Sequence, residues 1–213
     1  MRYLPFAILL IFFVPTAALA DEPAEQVVAE ADQQPDFEYV KEAELPEGWP
    51  APGPIDVASV KAYPEYRAAY AEGDAAFWLL FSHIQSRDIP MTTPVEMAMD
   101  HTPEGYERVN MGFLYQSTEV GETGEAGAVE VIDVPAMTVV SFGTHGPVRK
   151  TTYDTAIELI EAKIETLDGW RSTGKLRMLG YNSPMIPREK QYFEIQVILE
   201  EVEPDPGEAE QVE

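Results

Sequence analysis

The sequence predicts an α+β domain in which eight antiparallel strands close into a barrel and two helices pack on its outside. The main evidence is a pair of related segments, Met91-Thr92-Thr93-Pro94-Val95 and Gly180-Tyr181-Asn182-Ser183-Pro184-Met185. Each places hydroxyl or amide side chains and a proline beside apolar residues, and each follows an amphipathic helix. A strand–helix–strand–strand order therefore occurs twice, and closing such a sheet would leave no strand edge exposed.

The first copy begins with residues 60–71, which have the composition of a strand interrupted at Tyr63-Pro64. Proline lacks the backbone donor that a central ladder requires, so it is acceptable there only at an edge or a bulge. Residues 91–99 and 108–117 are predicted as the later strands, the second of them with alternating apolar residues. A helix is predicted between residues 71 and 91, where apolar residues recur at helical spacing, namely Phe77, Leu80, Phe81 and Ile84.

The second copy follows residues 121–127, which are acidic and contain glycines and are therefore predicted as a loop. Residues 129–142 form its first strand, which is again interrupted at a proline. Residues 175–181 and 192–199 supply its last strands. The helix between the first strand and the last two carries one apolar stripe, made of Tyr153, Ala156, Ile157, Ile160, Ile164 and Leu167.

The chain divides into four segments. Residues 1–20 have the pattern of a secretory signal peptide, with an apolar run that ends at Ala18-Leu19-Ala20. That run is shorter than the roughly 20 residues a bilayer span needs, so we expect export to the periplasm or secretion, with no stable membrane insertion after cleavage. An uncleaved anchor is the alternative. Residues 21–54 and 201–213 are acidic and predicted to be disordered, and residues 55–200 form the folded domain.

The formal net charge of −24 comes mainly from the flanking segments. Residues 21–50 hold ten acidic residues and one lysine, and residues 200–213 hold seven acidic residues and no basic one. The sequence has no basic cluster with interleaved aromatic residues, and an acidic surface repels phosphates, so we expect no nucleic-acid partner. The lack of cysteine excludes a disulfide framework, thiolate chemistry and a cysteine-ligated metal.

The sequence resembles the SOUL haem-binding protein family over about residues 56–200. The resemblance rests on the two related segments, on the strand at 138–143, and on Tyr192-Phe193-Glu194-Ile195 after the second segment. It implies a distorted eight-stranded antiparallel barrel with two flanking helices and a pseudo-twofold repeat of a βαββ unit, similar to effector-binding domains. It also implies non-covalent binding of haem or another porphyrin in an apolar cleft beside the first helix, without established catalysis.

Several residues are candidates for binding such a ligand. A porphyrin needs flat apolar walls, and core packing is the alternative role of the candidates Phe77, Leu79, Met97 and Met111. Arg87 could pair with a propionate at the rim. His83 lies four residues after Leu79 and therefore on nearly the same stripe, so it is the first candidate for an axial ligand to iron. Its alternative is a satisfied, partly buried histidine, and weaker ligand candidates are His101, His145, Met91, Met97 and Tyr181.

Two other functions are left open. Because a related doubled barrel serves as an effector-binding domain in bacterial regulators, the same cleft could bind another apolar small molecule. A hydrolase or an isomerase would need an acid and a base, for which Glu96 and Glu194 are the candidates. The sequence contains no Gly-x-Ser-x-Gly, His-Glu-x-x-His, phosphate-loop or dinucleotide motif, so we expect no enzyme activity.

Overall fold

The structure is a computed structural model that describes residue 37 and residues 39–202. The predicted signal peptide and residues 203–213 lie outside the described residues, and so does the predicted disordered segment up to residue 36. Within the described part of the chain, neither helix has the length and hydrophobicity needed to cross a membrane.

The described residues form ten strands, two α-helices and one short 3₁₀-helix, at Arg188–Lys190. The strands and α-helices are β1 (Ala58–Tyr63), β2 (Tyr66–Glu72), α1 (Ala76–Ser86), β3 (Val95–Thr102), β4 (Gly105–Arg108), β5 (Asn110–Leu114), β6 (Gly124–Ala126), β7 (Val129–Val134), β8 (Met137–His145), α2 (Lys150–Ile164), β9 (Trp170–Gly180) and β10 (Tyr192–Glu201).

The strands form one sheet in the order β1-β8-β10-β9-β3-β5-β2-β7-β6, with β4 paired to β3. The ladders between these strands are antiparallel. Leaving out β4 and β6, the strands correspond in pairs: β1 with β7, β2 with β8, β3 with β9 and β5 with β10. Exchanging the members of each pair gives the same order read from the other end of the sheet. This symmetry agrees with the repeat in the sequence, and the two copies meet where Val95 of β3 pairs with Gly180 of β9.

The predicted eight-stranded barrel differs from the structure in two respects. The sheet has ten strands, because the predicted loop at 121–127 contains β6 and a further short strand, β4, pairs with β3. Gly127 has a φ of 69°, which permits the tight turn from β6 into β7. Closure into a barrel is not confirmed, since no pairing joins the end strands β1 and β6 among the described residues.

The two predicted proline interruptions are confirmed. β1 ends before Pro64 and β7 ends before Pro135, so each interrupted stretch becomes two strands. The chain also changes neighbours at each proline. β1 pairs with β8 of the second copy, while β2 pairs with β5 of its own copy and with β7. Because each proline ends one strand and the chain then starts another, strands of the two copies pair with each other.

Residues 39–54, which we call the N-terminal strap, pack on the sheet although the sequence predicts disorder up to residue 54. Trp49 is buried and packs edge-on against Tyr63 and Tyr66. The backbone N–H of Thr93 donates a hydrogen bond of 2.9 Å to the carbonyl of Glu44. The packed structure therefore begins before the predicted boundary at residue 55. Burial of Trp49, together with the packing of Tyr39 and Leu45 on the same cluster, contributes to offsetting the entropy of ordering this segment.

The helices cover different parts of the sheet. Leu80 and Ile84 of α1 are buried in a core cluster with side chains of β2, β5 and β7. Ala156 and Ile160 of α2 are buried in another cluster, with side chains of β8 and β10. Leu80 and Ile84 lie at the centre of the buried face of α1. Residues on either side of this face can therefore line cavities.

Candidate functional site

An apolar cavity of about 650 Å³ lies beside α1, which is within the size range of small-molecule sites. We call it the apolar cavity. Its walls come from α1, from β3 and β5 of the first copy, and from the ends of β9 and β10 of the second copy. The apolar side chains that line it are Phe77, Phe81, Met91, Val95, Met97, Met111 and Phe193.

The helix wall of this cavity is aromatic. Phe77 and Phe81 are four residues apart and therefore lie on one side of α1. Their ring centroids are 6.0 Å apart and the ring planes differ by only 9°. Phe77 also packs edge-on against Phe113 of β5, with centroids 5.5 Å apart, which fixes its orientation.

The opposite wall depends on a glycine. Gly180 ends β9 and lines the cavity without a side chain. A Cβ atom there would come within 3.3 Å of the Cε atom of Met97 and 3.7 Å of the ring of Phe193. The cavity is therefore open at this position because no side chain fills it.

The two related sequence segments meet at the polar end of the apolar cavity. Thr92 and Thr93 of the first segment and Asn182 and Ser183 of the second line this end. The hydroxyl of Thr93 donates a 2.9 Å hydrogen bond to the carbonyl of Tyr181, which joins the segments directly. The repeat in the sequence thus places its polar residues around one opening.

The N-terminal strap forms part of the same rim. The carboxylate of Glu42 accepts hydrogen bonds from the backbone N–H of Ser183 at 2.6 Å and from its hydroxyl at 2.7 Å. Burial acts to raise the pKa of Glu42, but the hydrogen bonds from Ser183 and Asn182 outweigh it, so the pKa is lowered. Glu42 is therefore held as a carboxylate on the second segment.

His83 and Arg87 line a different cavity, of about 420 Å³, on the other flank of α1. The Nε2 atom of His83 lies 2.9 Å from the hydroxyl oxygen of Tyr115, and both residues are buried. Burial, together with the guanidinium of Arg87, lowers the pKa of His83 below its usual 6.5. The histidine is thus a neutral, hydrogen-bonded side chain at neutral pH.

The predicted site residues are therefore divided between two cavities. Phe77, Met97 and Met111 line the apolar cavity, whereas His83 and Arg87 line the second one. Leu79 is 36% exposed and lines neither. A helical projection at about 100° per residue already places His83 and Phe77 on different sides of α1, about 120° apart. The proposed roles of His83, Leu79 and Arg87 stay predictions.

Among the lining residues that the sequence did not indicate as candidates for ligand binding are Phe81, Gly180 and Phe193. Phe81 could have been found from its spacing to Phe77. Arg188 is one of five basic residues that the sequence offers as partners for a propionate, the others being Arg87, Arg108, Arg149 and Lys150. The sequence does not distinguish it from them, because Arg188 follows the second segment in a short turn whose direction the sequence does not show.

The carboxylate of Glu194 lies inside the sheet, fully buried. It accepts hydrogen bonds from the Lys61 ammonium at 2.5 Å, from the backbone N–H of Gly53 at 2.6 Å and from the hydroxyl of Tyr181 at 3.1 Å. Burial and the charge of Glu194 raise the pKa values of Tyr181 and Tyr192. The tyrosines therefore stay protonated and can donate to the carboxylate.

A chain of hydrogen bonds connects Glu194 with Glu96. The side-chain amide of Gln196 donates to Glu194 at 2.9 Å, and its oxygen accepts from Arg177 at 2.8 Å. Arg177 in turn lies 3.5 Å from the carboxylate of Glu96, which also accepts from Tyr66 at 2.7 Å. The two candidate acid–base residues are thus connected, but Glu194 is not among the residues that line the cavities.

Candidate metal ligands do not assemble elsewhere: between residues 39 and 202, no three histidine, aspartate or glutamate side chains lie close enough to hold a metal ion. No histidine lines the apolar cavity either. Of the weaker ligand candidates, Met91, Met97 and Tyr181 do line it.

Comparison with known families assigns the chain. The family model described as SOUL heme-binding protein matches residues 33–198, most of the sequence. The chain belongs to the SOUL heme-binding protein family. The SOUL match begins before residue 55 and includes the N-terminal strap, in agreement with the packing of Trp49. A search of curated protein sequences found no significant match for this SOUL chain.

Solved structures share the fold at low sequence identity. A hydrolase from Listeria innocua is 15% identical with a TM-score of 0.51, covering 70% of the SOUL chain and 94% of its own. An uncharacterized conserved protein from Listeria innocua is 15% identical with a TM-score of 0.52, covering 69% and 94%. At this identity the likeness supports the α+β fold of the SOUL chain and carries no functional assignment.

Proposed function

We propose that this protein binds haem or another tetrapyrrole, non-covalently and without catalysis, in the apolar cavity beside α1. The observation that carries the proposal is the pair of aromatic side chains, Phe77 and Phe81, that lines an open apolar volume in a chain of a haem-binding family. The signal-peptide pattern of residues 1–20 supports action after export, in the periplasm or outside the cell.

The residues fit a flat macrocycle. The Phe77–Phe81 pair offers one apolar wall, and Met97, Met111 and Phe193 line the same cavity from the strands. Methionine side chains are flexible and polarizable, so they adapt to an irregular ligand. Haem would supply iron to this site, while the protein residues bind and orient the ring and exclude water from its faces.

The proposal does not depend on a histidine ligand, because no histidine lines the apolar cavity. Contact with the ring faces can hold a porphyrin without a bond to the metal. Metal-free protoporphyrin IX should therefore bind with an affinity close to that of hemin. Iron ligation by His83, which the sequence suggests, is not part of this proposal, and His83→Ala tests it separately.

A blocking substitution tests the proposal. Gly180→Leu would place a side chain toward Met97 and Phe193 and fill the cavity. Titration of the wild-type chain with hemin and with protoporphyrin IX should shift the Soret band at micromolar ligand, and Gly180→Leu should remove this shift. Lys175→Leu, at an exposed position on the same strand, is the control and should bind as the wild type does.

Thermal unfolding of both variants shows whether they are folded. An unchanged spectrum of the wild-type chain at micromolar hemin and protoporphyrin IX would contradict the proposal. If the unfolding temperature then rose with other apolar compounds, the alternative of a binding module for a different small molecule would replace it.

A further inference from the structure

Residues 40–44 of the N-terminal strap lie at the rim of the apolar cavity, and we call them the lid segment. Glu42 and Ala43 line the cavity. Aromatic residues hold the chain on both sides of this segment, since the ring of Tyr39 packs against the rings of two other tyrosines and Trp49 is buried. The lid segment itself contains no buried side chain. It is therefore a short exposed bridge between two fixed points.

The lid segment connects the two related sequence segments across the polar end of the cavity. On the second segment, the carboxylate of Glu42 accepts hydrogen bonds from Ser183 and Asn182. On the first segment, the backbone N–H of Thr93 donates a 2.9 Å hydrogen bond to the carbonyl of Glu44. Lifting the lid segment would break its contacts with both segments and would uncover this end of the cavity.

The contacts that close the lid segment are few. Within the described part of the chain, Glu42 is its one side chain that forms hydrogen bonds with other parts of the protein, because the bond from Lys41 to Glu44 is internal. The hydrogen bonds of Glu42 are exposed, so water can replace the partners when these bonds break, and their net contribution is small. The closed position therefore depends chiefly on one carboxylate.

We propose that the lid segment opens as one unit between its fixed ends and controls entry and release of the ligand of the apolar cavity, with Glu42 as its latch. This inference rests on the proposed function and adds the regulation of its site. Opening on this scale is a local event that leaves the sheet intact. Because the latch is closed in the free and in the loaded protein alike, weakening it should speed entry and release together and change the affinity little.

The first test measures rates. Stopped-flow mixing with protoporphyrin IX gives the association rate constant, and transfer of the bound porphyrin to an excess of apomyoglobin gives the dissociation rate constant. In Glu42→Ala both rate constants should rise about tenfold, while Kd stays within about threefold of the wild type. Glu47→Ala is the matched control and should change neither rate constant. Glu47 is also an exposed carboxylate of the strap, but it does not line the cavity, and its side chain forms no hydrogen bond with any described residue.

The second test needs no ligand. Amide hydrogen exchange of Thr93 in the free protein measures opening, because its N–H is bonded to the carbonyl of Glu44 and a substitution at Glu42 leaves both of these groups in place. If the lid segment opens as one unit, Glu42→Ala should raise the exchange rate of the Thr93 amide about tenfold. The amide of Val140, in the middle of β8, should exchange at an unchanged rate.

A weaker affinity caused by faster release alone would show that Glu42 contacts the ligand, and would overturn its role as a latch. Unchanged rate constants, or unchanged exchange of Thr93, would also overturn the lid. If the wild-type chain did not bind protoporphyrin IX, the proposed function would be overturned, and the exchange of Thr93 would still decide whether the lid segment opens as one unit.

Discussion

The Nε2 atom of His83 lies 2.9 Å from the hydroxyl oxygen of Tyr115, on the flank of α1 opposite the Phe77–Phe81 wall. This hydrogen bond satisfies a buried histidine whose neighbouring cavity is not the apolar one. The aromatic wall of the apolar cavity and the histidine nitrogen, a possible iron ligand, thus lie on different sides of α1.

Substitution of His83 by alanine should therefore leave hemin binding unchanged. We expect a dissociation constant within about twofold of the wild type and the same Soret maximum, because the ring contacts lie on the other flank. The free energy of unfolding should fall by about 1–3 kcal/mol, since the buried hydroxyl of Tyr115 loses its partner. Loss of the Soret shift in a folded variant would instead identify His83 as the iron ligand.

The stability of the protein should decrease below neutral pH through His83. Because its pKa is lower in the folded than in the unfolded chain, the unfolded chain binds the proton more readily. Its contribution is fully present above pH 6.5 and declines as the pH falls toward the lower folded pKa. Urea unfolding at several pH values measures this loss, and it should be smaller in His83→Gln. An identical pH dependence of the wild type and His83→Gln would show that His83 does not cause this loss of stability.

Phe77→Ala should weaken protoporphyrin IX binding about tenfold by removing half of the aromatic wall. Leu159 of α2 provides a control, since its side chain is 40% exposed and does not line the cavity. Leu159→Ala should change the affinity by less than about twofold. Fluorescence quenching titrations measure both variants after circular dichroism has shown that they are folded. Equal effects of the two substitutions would argue against binding at this wall.

Lys61→Met should reduce the free energy of unfolding by about 3–5 kcal/mol, because it leaves the carboxylate of Glu194 buried without its cation. Adding Glu194→Gln should recover much of this loss, since both members of the pair are then uncharged. Urea denaturation of the two single variants and the double variant measures the effect. A loss below about 1 kcal/mol in Lys61→Met would show that the pair has little influence on stability.

The predictable part of the fold follows from local patterns. The prolines at 64 and 135, the stripes of the two helices and the duplicated segments all indicate features that the structure contains. The predicted strand number was wrong because β4 and β6 are only four and three residues long. Such short strands are stabilised by a neighbouring strand rather than by their own composition.

The candidate site was predicted in part. The helix beside the cavity and three of its lining residues, Phe77, Met97 and Met111, are where the sequence suggested. Glu194 and Glu96 sit at alternating strand positions, which normally indicate solvent exposure on one face, yet both are buried. Alternation identifies two faces of a strand but does not show which of them the rest of the chain covers.

By itself, the sequence determined the order of helices and strands, the duplication of the unit and the apolar faces, because each depends on residues near one another in the chain. Tertiary structure alone decided which flank of α1 meets the open volume, how Arg188 reaches its rim and how Lys61 finds Glu194, 133 positions away. These relationships depend on how distant strands pair and cover each other, and the free energy of such long-range packing is not encoded in any local pattern.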